Sequence, residues 1–351
     1  MRWWVCFLSS DSLLTPGLPP AMLFIVGGRE QGKALKEEVE SRGVPAWYVE
    51  LWGNYIVVTP PHARVEGLKT PVKAVVELKT ELQLVSREWK RDPTPVWIGD
   101  RELREGRNFI IAGPCSVETE EQILKTARFV KNAGADALRG GAYKPRTSPY
   151  TFQGLGEAGL ELLAKAREET GLPITTELMD PEDMPLVAKY ADAIQVGARN
   201  MQNFTLLKKL GRAGKPVLLK RGFGNTVEEW LLAAEYIALH GNGDVVLVER
   251  GIRTFDKTLR FTLDVGAIAY VKQHTHLPVI GDPSHPAGDR RYVIPLALAI
   301  LAAGADGIIV EVHPDPDRAW SDAKQQLTFD QFTELVQRAR ELAKALGRAS
   351  S

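Results

Sequence analysis

The chain has little cysteine, two residues in 351. Two thiols cannot build a disulfide framework, so the sequence reads as that of a cytoplasmic protein in a reducing compartment. It has no excess charge of either sign, because 44 Lys and Arg face 44 Asp and Glu. Nucleic-acid and membrane-surface proteins normally carry a basic surplus, so neither partner is expected. A neutral total still leaves room for a small, intensely basic pocket. Long apolar runs are missing too, and none approaches the ~20 residues of a membrane span. The apolar stretch at 1–8 is cut off by Ser9, Ser10 and Asp11 before it reaches the length of a signal-peptide core. What remains is 44% apolar and 25% charged, the make-up of a chain with a sizeable core rather than a disordered one. The length suits about two domains, or one barrel of about 250 residues beside something smaller.

Residues 1–21 end in Pro16, Pro19 and Pro20 and read as a disordered N-terminal extension. A first domain is expected over 22–92. Within it 22–26 is an apolar strand, and 29–41 is a charged segment of helical spacing stopped by Gly43. Residues 45–51 and 55–59 are β-branched or aromatic strands around a Gly53-Asn54 turn, followed by a weak helix at 62–67 and a strand at 72–78. The order β-α-β-β-α-β is the ferredoxin-like split unit. It carries no chemistry, which suggests regulation or assembly.

Over 93–351 the pattern changes to eight strand-like runs alternating with eight helical ones, the arithmetic of a (β/α)8 TIM barrel. The strands are predicted to end near Cys115, Gly140, Glu177, Ala198, Lys220, Arg250, Asp282 and Val312, and the helices to begin near 119, 157, 181, 203, 226, 262, 289 and 329. Thr328 and Gln331 form a capping box at the start of the last helix, which Gly347 stops. Segment 95–105 predicts a small hairpin placed to plug the bottom of the barrel. Gly154, Gly156 and Gly159 fit G-x-G-x-x-G, but a dinucleotide fingerprint must lie directly between a strand and a helix, and eleven residues intervene here.

A barrel of this kind works at the C-terminal ends of its strands. The residues expected there sort into two chemistries. The cationic group is Arg139, Lys144, Arg146, Arg199, Lys220 and Arg250. So many cations converging on one mouth call for anionic ligands, and bidentate arginines favour phosphate and carboxylate. The ligating group is Cys115, His285 and Glu311, with Asp322 of the last loop ranked lowest, and His313 is a candidate to support a ligand from behind. Thiolate, imidazole and carboxylate together suit Mn²⁺, Fe²⁺ or Zn²⁺, and softness does not choose among them. His274 and His276 precede strand seven and face the bottom, so they are set aside.

These residues resemble 3-deoxy-D-arabino-heptulosonate 7-phosphate (DAHP) synthase, and more closely its type I beta subgroup. The matching stretches include IIAGPCSVE (110–118), LRGGAYKPRTSPYTFQGLG (138–156), QVGARNMQNF (195–204), PVLLKRG (216–222), ERGIRTF (249–255), DPSHPAGDR (282–290), IIVEVHPDPDRA (308–319) and SDAKQQL (321–327). They run through the barrel end to end, while the subgroup's ferredoxin-like domain fits residues 22–90 more loosely. The resemblance implies condensation of phosphoenolpyruvate with erythrose 4-phosphate, releasing inorganic phosphate. It implies one divalent metal ion, Mn²⁺ first and Fe²⁺, Zn²⁺ or Co²⁺ as alternatives, held by Cys115, His285, Glu311 and Asp322. Arg139, Lys144, Arg199, Lys220 and Arg250, with the backbone of Ala198, would hold phosphoenolpyruvate. Arg146 and Thr147 would take the aldose phosphate. Lys144 is the first candidate for protonating the new alkoxide, with metal-bound water as the alternative, and neighbouring cations are expected to lower its pKa. Glu177 either positions the attacking water or pairs with an arginine. The nearest alternative is 3-deoxy-D-manno-octulosonate 8-phosphate synthase, which uses arabinose 5-phosphate and whose aldose loop resembles K-A-N-R-S-S. Lys144-Pro145-Arg146-Thr147-Ser148 favours the four-carbon sugar. A non-catalytic barrel that binds phosphorylated metabolites is the alternative from another class. A homotetramer and feedback inhibition by tyrosine or phenylalanine are expected from the resemblance alone.

Overall fold

The structure, a computed structural model, describes residues 21–348, so the expected N-terminal extension lies outside the described residues except for Ala21. The chain divides into two compact units, 1–83 and 84–351, whereas the sequence suggests a boundary at 92/93.

In the first unit, β1 (Ala21–Val26) leads through α1 (Arg29–Ser41) to β2 (Trp47–Leu51), β3 (Asn54–Val58) and β4 (Ala74–Leu78). The sheet order is β2-β3-β1-β4, and every recorded pairing in it is antiparallel. Phe24, Val26, Leu35, Val39 and Val57 form the core between α1 and the sheet. That is the ferredoxin-like strand order, but the second helix is absent. Residues 62–67 run irregularly from a turn at His62 to a bend at Gly67, because both ends are left-handed, His62 with φ 72° and Gly67 with φ 63°. So short a segment does not offset the cost of helix nucleation. The hairpin turn also shifts by one residue. Leu51 pairs with Asn54, and the two turn residues are Trp52 (φ 49°) and Gly53 (φ 72°). Two successive left-handed residues give the twist that a two-residue hairpin needs.

The second unit opens with a hairpin, β5 (Val96–Ile98) and β6 (Arg101–Leu103), and then closes a parallel eight-stranded barrel. Its strands are β7 (Phe109–Gly113), β8 (Ala137–Arg139), β9 (Ile174–Glu177), β10 (Ala193–Val196), β11 (Val217–Lys220), β12 (Val245–Glu249), β13 (Val279–Gly281) and β14 (Gly307–Glu311). The surrounding helices are α2 (Glu120–Ala133), α3 (Glu157–Thr170), α4 (Met184–Tyr190), α5 (Phe204–Leu210), α6 (Val227–Leu239), α7 (Val265–His274), a short α8 (Ser284–Ala287), α9 (Val293–Ala302) and α10 (Phe329–Ala345). Predicted strand ends fall within two residues of these. The sequence missed α8, a single turn inside the loop that carries His285. The capping box of α10 is complete, with Gln331 N–H on Thr328 Oγ1 at 3.2 Å and Thr328 N–H on Gln331 Oε1 at 3.1 Å.

Val96, Ile98 and Leu103 of the hairpin share one buried cluster with Phe109, Ala137, Ala193, Leu218 and Val246. Each of the latter is the first or second residue of its strand, so the hairpin closes the N-terminal end and leaves the opposite mouth for chemistry. His276 is buried at the closed end. Its Nε2 donates to Leu84 O and its Nδ1 accepts from Thr94 Oγ1, both at 2.8 Å. Burial pushes its pKa down to about 4. Between that value and the ~6.5 of an unfolded histidine the unfolded chain binds more protons, so stability falls as pH drops through this window, by on the order of 3 kcal/mol. Denaturant unfolding of His276→Gln at pH 4 to 7 should show a correspondingly flatter pH dependence than the parent. Parallel profiles would contradict this role.

Candidate active site

All four expected metal ligands come to one end of the barrel. Gly113 ends β7 where an added Cβ would lie 2.0 Å from the Arg139 carbonyl oxygen. This close approach of β7 to β8 sets the following Cys115 beside Arg139. Cys115 Sγ, a Glu311 oxygen and an Asp322 oxygen lie within 4.8 Å of one another. His285 brings Nε2 to 3.7 Å from Glu311 Oε1 and 3.9 Å from Asp322 Oδ2.

Each donor has a partner that aims it. Asp282 Oδ2 accepts from His285 Nδ1 at 2.7 Å, which leaves Nε2 with its lone pair toward the carboxylates. Gln325 donates to Glu311 Oε2 at 2.7 Å, Arg260 stands 3.3 Å from Asp322 Oδ1, and Lys144 Nζ lies 3.1 Å from Cys115 Sγ. Glu311 Oε1 is left buried without a hydrogen-bond partner, although Arg139 Nη2 stands 3.2 Å away. An orphaned carboxylate oxygen facing a thiol, a free imidazole nitrogen and a second carboxylate fits a divalent cation. Burial pushes the Cys115 thiol up to about 12, with Glu311 adding to it, so taking up a cation there would displace the thiol proton. Burial also lowers His285, which keeps the imidazole neutral. Asp282 is raised by burial, but His285 and Lys220 outweigh this and leave it well below the carboxylate range.

Beside this donor set opens a cavity of about 450 Å³. Lys144, Arg146, Thr147, Glu177, Ala198, Arg199, Lys220, Arg250, His285 and Asp322 all line it, whereas Cys115, Arg139 and Glu311 are not on its wall. The wall holds seven Lys and Arg side chains against the two carboxylates of Glu177 and Asp322, so it favours polyanionic ligands. Lys220 on the wall and Arg139 buried behind it have acidic neighbours, Lys220 with Asp282 at 3.0 Å and Arg139 with Glu311 at 3.2 Å. Arg139 nevertheless keeps Nε and Nη1 buried and unpartnered, which points to an anion as the missing acceptor. Arg250 stacks over Phe261 at 4.1 Å and Phe223 at 4.9 Å, and burial, with Arg260 and Arg199 nearby, depresses it to about 10. Gly197 makes room for Glu177, since a Cβ there would meet Glu177 Oε1 at 1.9 Å.

Two expectations change. Lys144 is not depressed. Burial and Arg139 push it down, but Cys115, Glu177 and Glu311 outweigh them and hold the ammonium above its ordinary value. Glu177 is not paired with an arginine; its side chain makes no hydrogen bond or ion pair among the described residues, while its backbone sits in the β9–β10 ladder. Arg221, another strand-end cation, is used structurally by Glu249 at 3.1 Å and Asp264 at 2.9 Å. His313 does not reach the cavity. The sequence reading gave no role to Asp282, Gln325, Arg253, Arg260, Phe223 or Phe261. Asp282, Arg253 and Gln325 lie inside the quoted stretches, within reach of a reading from sequence. The others sit in long loops with no periodicity to expose them.

Residues 92–348 match the sequence profile described as the DAHP synthetase I family. The chain belongs to that family. It is 55% identical over 276 residues to phospho-2-dehydro-3-deoxyheptonate aldolase of Thermotoga maritima, covering 79% of this chain and 82% of the relative. The 2-dehydro-3-deoxyphosphooctonate aldolase of Syntrophobacter fumaroxidans is more distant, 31% identical over 250 residues, 66% of this chain and 86% of that one. The crystal structure of the Thermotoga maritima DAHP synthase superposes with a TM-score of 0.77 at 47% identity, over 95% of this chain and all of the other. Its truncated form superposes at 0.72 and 51% identity, over 77% and 99%. Higher identity to the heptonate enzyme supports that member of the family over the octonate one.

Proposed function

We propose that the chain condenses phosphoenolpyruvate with erythrose 4-phosphate and water to form DAHP and inorganic phosphate, the first step of the shikimate route to aromatic amino acids. The observation that carries this reading is a cationic cavity set directly against a thiol, imidazole and carboxylate donor set. Such a cavity takes two phosphorylated substrates, and the donors take one divalent ion, Mn²⁺ first, with Fe²⁺, Zn²⁺ and Co²⁺ compatible. When bound, that ion would supply Lewis-acid polarisation of the aldehyde.

The chain's own residues do the rest. Arg139, Lys144, Arg199, Lys220 and Arg250, with the Ala198 backbone, hold the phosphate and carboxylate of phosphoenolpyruvate. Arg146 and Thr147, in the loop after β8, hold the sugar phosphate. C3 of phosphoenolpyruvate attacks the aldehyde carbon, and Lys144 delivers a proton to the new alkoxide. Its raised pKa keeps it charged and able to donate at neutral pH. Glu177, unpaired on the cavity wall, orients the water that captures the cationic C2. The phosphohemiketal then collapses and phosphate leaves. The family likeness extends the proposal to a homotetramer and to feedback inhibition by tyrosine or phenylalanine. Among the described residues no helix is long and apolar enough to cross a membrane.

The deciding experiment is phosphoenolpyruvate consumption by Mn²⁺-reloaded protein with erythrose 4-phosphate and arabinose 5-phosphate side by side. Turnover with the four-carbon sugar only is expected. Turnover with the five-carbon sugar would overturn the reading of the 144–148 loop. Failure with both would favour a binding protein.

A further inference from the structure

Glu118 is a buried carboxylate that touches neither the cavity nor any of the four ligands, and the mechanism above does not use it. It and His313 are each only 5% exposed. Its Oε1 accepts from Trp320 N–H at 2.9 Å and from Ser116 Oγ at 3.3 Å, and its Oε2 faces His313 Nε2 at 3.3 Å. The N–H of Asp315 donates to His313 Nδ1 at 3.0 Å, so the ring carries its proton on Nε2 and donates it to Glu118. Trp320, His313 and Asp315 all belong to the segment between β14 and α10. Glu118 and Ser116 belong to the segment between β7 and α2. Two more links join the same segments. Ser116 Oγ and Ser321 Oγ are 2.7 Å apart, and Gln326 bridges Ser321 O at 2.8 Å to Cys115 N–H at 3.0 Å.

One of these segments carries Cys115, and the other carries Asp322. Asp322 has φ 45°, a left-handed conformation that a non-glycine residue keeps only where its surroundings over-determine it. Its neighbour Ser321 is held on both sides, by Ser116 and by Gln326. We infer that Glu118 is a positioning residue for the metal site, pinning the Asp322 loop to the Cys115 loop so that the two ligands keep one fixed separation. The inference rests on Cys115 and Asp322 being ligands.

Glu118→Gln preserves size but turns an amide N–H₂ toward the His313 or Trp320 donor, which breaks the pin. The test is Mn²⁺ affinity of the full chain by chelator competition, beside KM for phosphoenolpyruvate at saturating Mn²⁺. A group hydrogen-bonded directly to a metal ligand is typically worth about 10–100-fold in metal affinity, and Glu118, one link further out, should cost about tenfold, the lower end of that range. That loss is expected here with KM changed less than about threefold and the metal-free Tm little altered. Ser321→Ala, which cuts a single link, should weaken Mn²⁺ in the same direction and serves if Glu118→Gln does not fold. Asp322→Ala separates the two layers of argument. If it leaves Mn²⁺ affinity unchanged, the ligand assignment itself fails. If it abolishes binding while Glu118→Gln and Ser321→Ala bind Mn²⁺ like the parent, the positioning role is overturned. Equal losses in Mn²⁺ and phosphoenolpyruvate binding would also overturn it, as a general disturbance of the mouth.

Discussion

Cys115→Ala should weaken Mn²⁺ binding by roughly 10²–10³-fold, on the scale of one donor's share of the free energy of a four-donor site, and turnover at limiting metal should fall with it. The argument is local. The thiol is fully buried, lies in the 4.8 Å group with Glu311 and Asp322, and sits against the Lys144 ammonium. Removing it opens a small space and takes away the softest donor, yet leaves the cation-holding carboxylates in place. Arg199 and Arg250, proposed to hold phosphoenolpyruvate, line the cavity, whereas Cys115 does not. Equilibrium dialysis should therefore show lost metal with phosphoenolpyruvate binding largely kept. Unchanged Mn²⁺ affinity in this variant would remove Cys115 from the site, and with it the assignment built on the donor set.

For Lys144→Met, kcat is expected to fall by about 10²–10⁴-fold, the usual contribution of a positioned proton donor. Lys144 Nζ stands 2.9 Å from Cys115 O and 3.1 Å from Cys115 Sγ, and the side chain also lines the cavity. It thus lies between the donor set and the 145–148 loop that follows it in the chain. Methionine keeps most of the stem's length and apolar packing, so folding should be spared. Since the carboxylates of Glu177 and Glu311 hold the ammonium protonated despite burial, the parent has its proton in place across the neutral range. Single-turnover measurements separate this effect from weaker substrate binding. A kcat within tenfold of the parent would mean that another group supplies the proton and that Lys144 only binds.

The two halves of the chain were legible in different degrees. The barrel was readable because each β-α unit repeats a short, near-continuous apolar run, buried on both faces, and a helical run with its own punctuation, such as the Thr328 cap. Knowing that such barrels work at their strand ends converted a one-dimensional pattern into a list of mouth residues. In the small domain the signals were short, and local propensity lost to left-handed backbone at His62 and Gly67. The turn shifted by one residue because strand pairing, rather than the Gly53-Asn54 dipeptide, decided its register.

Sequence alone determined the fold class, the residues expected at the mouth and the thiol, imidazole and carboxylate groups expected among them. These follow from covalent order and repeat spacing, which survive in one dimension. Only the tertiary structure decided which charges meet. It sent Arg221 to Glu249 and Asp264 while leaving Arg199 and Arg250 on the cavity wall. It gave Asp282 to His285 and Gln325 to Glu311, and it raised Lys144 where a count of neighbouring cations predicts the opposite. Electrostatic and hydrogen-bond energies depend on distances of a few ångströms between residues far apart in the chain, such as Glu118 and Trp320. Those distances exist only after the barrel has closed.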